Sequence, residues 1–137
     1  MKDLRVLIMD GQGGGLGKQL VAALKDEPGL SITAVGTNSA ATNAMLKAGA
    51  HEGATGENAA IVACKKADVI MGPVGIAIAD SLLGEITPDV AVAVGQSPAK
   101  KILIPMNMCD IMIPGLKNVP IKNLLNDAVE QLKALKA

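Results

Sequence analysis

The chain has 137 residues, half of them hydrophobic, and its 13 basic and 13 acidic side chains cancel to zero formal charge. That size fits one compact domain over residues 1–137, and the neutral balance lacks the basic footprint of a nucleic-acid binder. With two cysteines and one histidine a zinc set cannot be assembled, no apolar run approaches the roughly 20 residues of a membrane span, and the charged start "MKDLRVLIMD" is no signal peptide. A cytoplasmic protein without a structural metal is expected.

Leu4 to Met9 reads as a buried strand, followed by "DGQGGGLG" and a helix in which Leu16, Leu20 and Leu24 recur at intervals of four. Leu30 to Val35 reads as a second strand ended by "GTNS", and Ala40 to Ala48 as a helix closed by Gly49. The polar stretch "HEGATGEN" precedes a short helix over Ala59 to Lys66, and "ADVIMGPVG" is a strand entering a glycine-containing turn. Two helical stretches are expected on either side of "GEITPD". "KKILIPMN" reads as a further strand, "CDIMIPG" as an edge strand, and "NLLNDAVEQLKALKA" as an amphipathic helix with Leu125, Val129 and Leu132 on one face.

Strands alternating with helices predict an α/β fold: a single small Rossmann-like three-layer domain with a mostly parallel, doubly wound sheet. Ligands of such sheets sit beyond the carboxyl ends of the strands. The loops "DGQGGGLG", "GTNS", "HEGATGEN", "GPVG" and "PMNMC" would then share one rim.

The first of these loops places five glycines in the seven positions from Gly11 to Gly17. Such density between a strand and a helix lets backbone N–H groups approach a phosphate, with the helix dipole favouring its charge. The dinucleotide fingerprint G-x-G-x-x-G fails, because its third glycine falls on Leu16. Gly11, Gly15 and Gly17 do satisfy G-x-x-x-G-x-G, the spacing of short-chain dehydrogenases, with Lys18 just inside the helix. The phosphate loop G-x-x-x-x-G-K-[ST] fails twice, at Gln12 and Gln19, although "GGGLGK" resembles the deviant loop of ParA and MinD type ATPases. A third reading gives the glycines only strand-to-helix packing, which their unfolded-state entropy disfavours. Asp10 at the mouth of an anion site would repel the ligand unless loop amides or a ribose hydroxyl engaged it.

The nucleotide-binding candidates are therefore Gly11, Gln12, Gly13, Gly14, Gly15, Leu16, Gly17 and Lys18. At the second strand's end Thr37, Asn38 and Ser39 either bind a 2′-phosphate or cap a helix; no acid stands there to accept from a ribose 2′-OH, so NADP is expected to bind more tightly than NAD. Thr55, Glu57 and Asn58 either bind ribose or substrate groups or start a helix, with Thr55 or Gly56 as the cap. Gly72, Pro73 and Gly75 offer backbone contacts. Catalytic residues are not identified: Cys109 has no histidine near it in sequence, and His51 reads as a solvated loop residue.

The motifs "DGQGGG", "GTN", "AMLKAGA", "GATGEN", "LGEITP" and "KKILIP" resemble a small bacterial family of uncharacterised proteins over nearly the whole chain. That resemblance implies a Rossmann-like fold and no particular activity. The likeness to short-chain dehydrogenases is confined to the loop spacing, since their catalytic Tyr-x-x-x-Lys cannot exist in a chain without tyrosine. We expect a nucleotide-binding module, for NADP or NAD, that senses or carries its ligand. Alternatives are a small enzyme using Asp10, Glu57 or Cys109 at the same rim, and a ligand-free interaction subunit. The runs "CDIMIPG" and "VGIAIADSLL" suggest a homo-oligomer, with a small-molecule nucleotide as partner and neither nucleic acid nor membrane.

Overall fold

Successive residues of β1 (Leu4–Asp10) serve two cores, because strand side chains alternate between the faces of a sheet. Val6 and Ile8 enter one core with Ile32, Ala34, Val69 and Met71, while Leu7 and Met9 enter the other with Val35 and Ile70. A strand apolar on both faces must be central in its sheet. The computed structural model, which describes residues 2–106 and 110–136, places it there.

Among the described residues five strands form one sheet in the order β3-β2-β1-β4-β5, with β2 at Leu30–Gly36, β3 at Glu52–Thr55, β4 at Val69–Pro73 and β5 at Lys100–Ile104. Every pairing is parallel, in register from Leu4↔Leu30 to Asp10↔Gly36 across the β1–β2 ladder. The helices are α1 (Gly15–Leu24), α2 (Ser39–Ala48), α3 (Glu57–Lys66), α4 (Pro88–Gln96) and α5 (Ile121–Leu135). Helices α1, α2 and α5 cover one face and α3 and α4 the other, giving the expected single three-layer α/β domain. The chain reverses its direction of winding between β1 and β4, the place where ligands of such sheets bind.

Local chemistry sets the helix ends. Asn38 caps α2 by accepting the Ala41 N–H at 2.9 Å, and Gly49 closes that helix at φ 123°. Thr87 caps α4 through the Val90 N–H, with Pro88 in the first turn. Leu16, Leu20 and Leu24 are all buried, as their spacing predicts, and α5 buries Ala128, Val129 and Leu132, with Leu125 packed at the margin of the core.

Three expectations need correction. The polar stretch "HEGATGEN" contains β3, a four-residue edge strand whose side chains are all exposed, so no apolar alternation announces it. Upstream of "GEITPD" the chain forms only a 3-10 turn at Val74–Ala77 and then a series of turns, because Asp80, Leu82 and Leu83 adopt positive φ and interrupt any helix. The run "CDIMIPG" is not an edge strand: from Asp110 to Gly115 only Ile111 forms an isolated bridge, and Cys109 lies outside the described residues. No helix among the described residues is long and apolar enough to cross a membrane.

Candidate functional site

Asp10 ends β1 and is buried at the root of the glycine loop. Its Oδ1 accepts the Gly11 N–H at 2.8 Å and its Oδ2 the Gly17 N–H at 2.7 Å, so one carboxylate joins the two ends of the loop. Burial pushes the Asp10 carboxyl above the ordinary carboxylate range; the Gly17 and Gly11 N–H groups pull it back, and the like charge of Glu85 adds to the rise. The repulsion expected between Asp10 and an anion is thus reduced by loop amides.

The five glycines divide by what a side chain would meet. A Cβ on Gly17 would lie 2.6 Å from the Met45 Sδ and 3.0 Å from the Asp10 Cβ, so this glycine lets α1 pack against α2 and β1. Gly14 stands at φ 73° against the Ala41 backbone, and Gly11 is covered by Thr37, Glu85 and Leu82. At Gly13 and Gly15 a Cβ would meet nothing within 4 Å. Both are exposed, and among the described residues neither N–H has an acceptor. Packing therefore accounts for three glycines and leaves two facing open space at the start of α1.

Lys18 is exposed in the first turn of α1 and enters none of the ion pairs among the described residues. Leu16 is buried in the core. Gln19, in the place of a phosphate-loop hydroxyl, turns its Nε2 back to the Gly15 carbonyl at 3.2 Å.

The expectation that no acid stands by "GTNS" is overturned by Glu85, which arrives from the segment between β4 and α4. Its Oε1 accepts from the Thr37 hydroxyl, from Asn38 Nδ2 at 2.9 Å and from the Gln12 N–H at 2.8 Å. Asn38 Nδ2 also donates to the Gln12 carbonyl at 2.9 Å. The Thr37 hydroxyl, then the Gln12 N–H, hold the Glu85 carboxyl below the usual carboxylate range. Seventy-three residues separate Glu85 from Gln12, so no local spacing signals the pairing. The one available sign is an acid in a turn-rich segment after a rim strand.

Among the described residues none of the remaining candidates hydrogen-bonds to Glu85. Ser39 is exposed at the start of α2. The Thr55 hydroxyl meets that of Thr42 at 2.7 Å, and Thr42 in turn accepts the Gly36 N–H, fastening the ends of β2 and β3. Gly56 is the N-cap of α3, Glu57 accepts from the Thr87 hydroxyl at 3.0 Å, and Asn58 borders an open groove on the sheet face beside α3. Gly72, Pro73 and Gly75 are buried, and the Ser81 hydroxyl donates to the Gly75 carbonyl. His51 lies before β3, at the opposite end of the sheet from the glycine loop, where its Nδ1 accepts the Ile32 N–H at 2.9 Å. Burial pushes the Cys64 thiol up to about 11, which leaves it inert.

A five-stranded parallel sheet in this order, with a glycine loop between β1 and α1, defines a Rossmann-like α/β domain. Residues 5–137 match the family described as Domain of unknown function (DUF3842), and the chain belongs to that family. No curated protein matches the chain significantly. Among solved structures, a dodecameric FMN-dependent UbiX-like decarboxylase from Escherichia coli O157:H7 is 19% identical over 97% of this chain and 95% of its own, with a TM-score of 0.55. An imine reductase from Myxococcus stipitatus, a V8 variant in complex with NAD+, is 27% identical over 65% of this chain and 29% of its own, with a TM-score of 0.39. The former likeness is one of fold.

Two outcomes are expected from the carboxylates. Asp10→Ala leaves two buried N–H groups without acceptors and should lower unfolding free energy by about 2–4 kcal/mol in urea titrations; an unchanged midpoint would contradict the bridging role. For Glu85 the folded-state value is depressed, so its contribution is present above the ordinary value of 4.5 and is lost as pH falls through the folded value. The stability difference between wild type and Glu85→Gln should therefore be largest near neutral pH and shrink below about 4.5. A difference independent of pH would reject the ionised contact.

Proposed function

We propose that the chain is a nucleotide-binding module whose glycine loop holds a phosphoryl group on the Gly13 and Gly15 N–H groups at the positive end of α1. The observation that carries this reading is the pair of open glycines. Glycine costs conformational entropy on folding, and at these two positions no neighbour in the chain requires its lack of a side chain. A phosphate approaching the backbone would require it. Lys18 adds a screened point charge one turn along the helix.

The carboxylates favour binding over turnover. Both oxygens of Asp10 are occupied by amides, and the donors on Glu85 hold its carboxyl below the usual carboxylate range, so neither group is poised as a general base beside the cradle. The UbiX-like decarboxylase with the same fold is FMN-dependent, which adds FMN to NAD, NADP and ADP as the first ligands to try.

Gly15→Val should abolish binding in calorimetric titrations with these four ligands while the circular dichroism spectrum is retained, because the added side chain enters open space that the phosphate needs. Lys18→Ala should weaken binding about twofold to fivefold, the order of one exposed charge pair. Wild-type affinity in folded Gly15→Val would reject the loop as the site.

Self-association belongs to the same proposal. Leu83 and Met112, which lie in the two apolar runs that suggest a homo-oligomer, are 95% and 87% exposed. The decarboxylase of the same fold is dodecameric. Sedimentation at micromolar concentration should show a species larger than 13.9 kDa; a monomer alone would contradict the assembly.

A further inference from the structure

We propose that Glu85 is the residue that reads the ribose of the bound nucleotide, accepting from its hydroxyls and rejecting a 2′-phosphate. This rests on the nucleotide reading above. In a sheet of this order a ligand whose phosphate lies at the β1–α1 loop extends its ribose toward the end of β2. The residues there, from Gly36 to Ser39, are uncharged. Glu85 supplies the missing acid from another part of the chain, bound to Thr37 and Asn38 at that strand end and to Gln12 beside the open glycines.

Its two oxygens have different duties. Oε1 receives three donors, which fix the carboxylate in place. Among the described residues Oε2 has no donor, and a ribose hydroxyl is the kind of group it would accept. The segment carrying Glu85 is itself tied: Ile86 is buried, its carbonyl accepts the Asp80 N–H at 2.7 Å, and its N–H donates to the Ser81 carbonyl. Leu82, Leu83 and Gly84 all adopt positive φ, so the turn presenting Glu85 is held in a conformation that extended or helical chain could not replace. A carboxylate fixed in this way is already ordered before the ligand arrives. It repels a second anion on the ribose, and no lysine or arginine in "DGQGGG" or "GTNS" offsets it. The expected order of affinity is therefore the reverse of the one the uncharged "GTNS" loop implies.

The test is calorimetric titration of wild type and Glu85→Gln with ADP and with ADP carrying a 2′-phosphate. Wild type should bind ADP at least about tenfold more tightly than its 2′-phosphate, and Glu85→Gln should bring the two within about twofold, the scale of one like-charge contact. If Glu85→Gln does not fold, Glu85→Asp keeps the charge but withdraws the carboxylate by one methylene; it should lose ADP affinity and still discriminate against the 2′-phosphate. Equal wild-type affinities, or an unchanged ratio in the folded variant, would overturn the role of Glu85 and leave nucleotide binding standing. No binding of either ligand to wild type would overturn both.

Discussion

The Asp10 carboxylate, hydrogen-bonded to the Gly11 and Gly17 N–H groups, is the interaction on which the rest of the rim depends. It spans the loop from the end of β1 to the first turn of α1 and so sets the direction in which α1 leaves the sheet. That direction brings Gly17 against Met45 and Gly14 against Ala41, and it buries Leu16, Leu20 and Leu24 in the core shared with α2 and α5. The cost is a buried charge, visible in a carboxyl held above its ordinary range. Once Asp10 has engaged two of the amides, Gly13 and Gly15 remain as the loop's open donors.

A second carboxylate organises the neighbouring side of the rim. Glu85 draws together Gln12 of the glycine loop, Thr37 and Asn38 at the end of β2, and the turn-rich segment after β4. The two acids differ in surroundings and in direction of shift: burial raises Asp10, whereas the Thr37, Gln12 and Asn38 donors lower partly exposed Glu85. One acid therefore joins the two ends of the loop, and the other, partly exposed, ties the loop to the end of β2.

Much of this architecture is legible in the sequence because it is periodic and local. The apolar run of β1, the leucines of α1, the Asn38 and Gly49 ends of α2 and the amphipathic face of α5 each carry their signal within a few residues. β3 gives no such signal, since "EGAT" is exposed along its whole length and is recruited only by the β2 edge. The segment from Ile78 to Gly84 is apolar enough to suggest a helix, but backbone conformation at Asp80, Leu82 and Leu83 forbids one. In the site, the glycine loop is visible as composition, while its division into packed and open glycines depends on Met45, Ala41, Thr37 and Leu82, brought from elsewhere by the fold. Glu85 is a non-local partner, and reading "GTNS" alone assigns that strand end the wrong charge.

The central claim is that Gly13 and Gly15 form a phosphoryl cradle. The most direct measurement is a nuclear magnetic resonance titration of the 15N-labelled protein with ADP, following the backbone amides. The account predicts saturable shifts centred on Gly13 and Gly15 and spreading to Lys18, with the groove beside α3 unaffected. Saturable shifts confined to Asn58, Val62 and Lys66 along that groove, with the glycine amides unmoved, would contradict it.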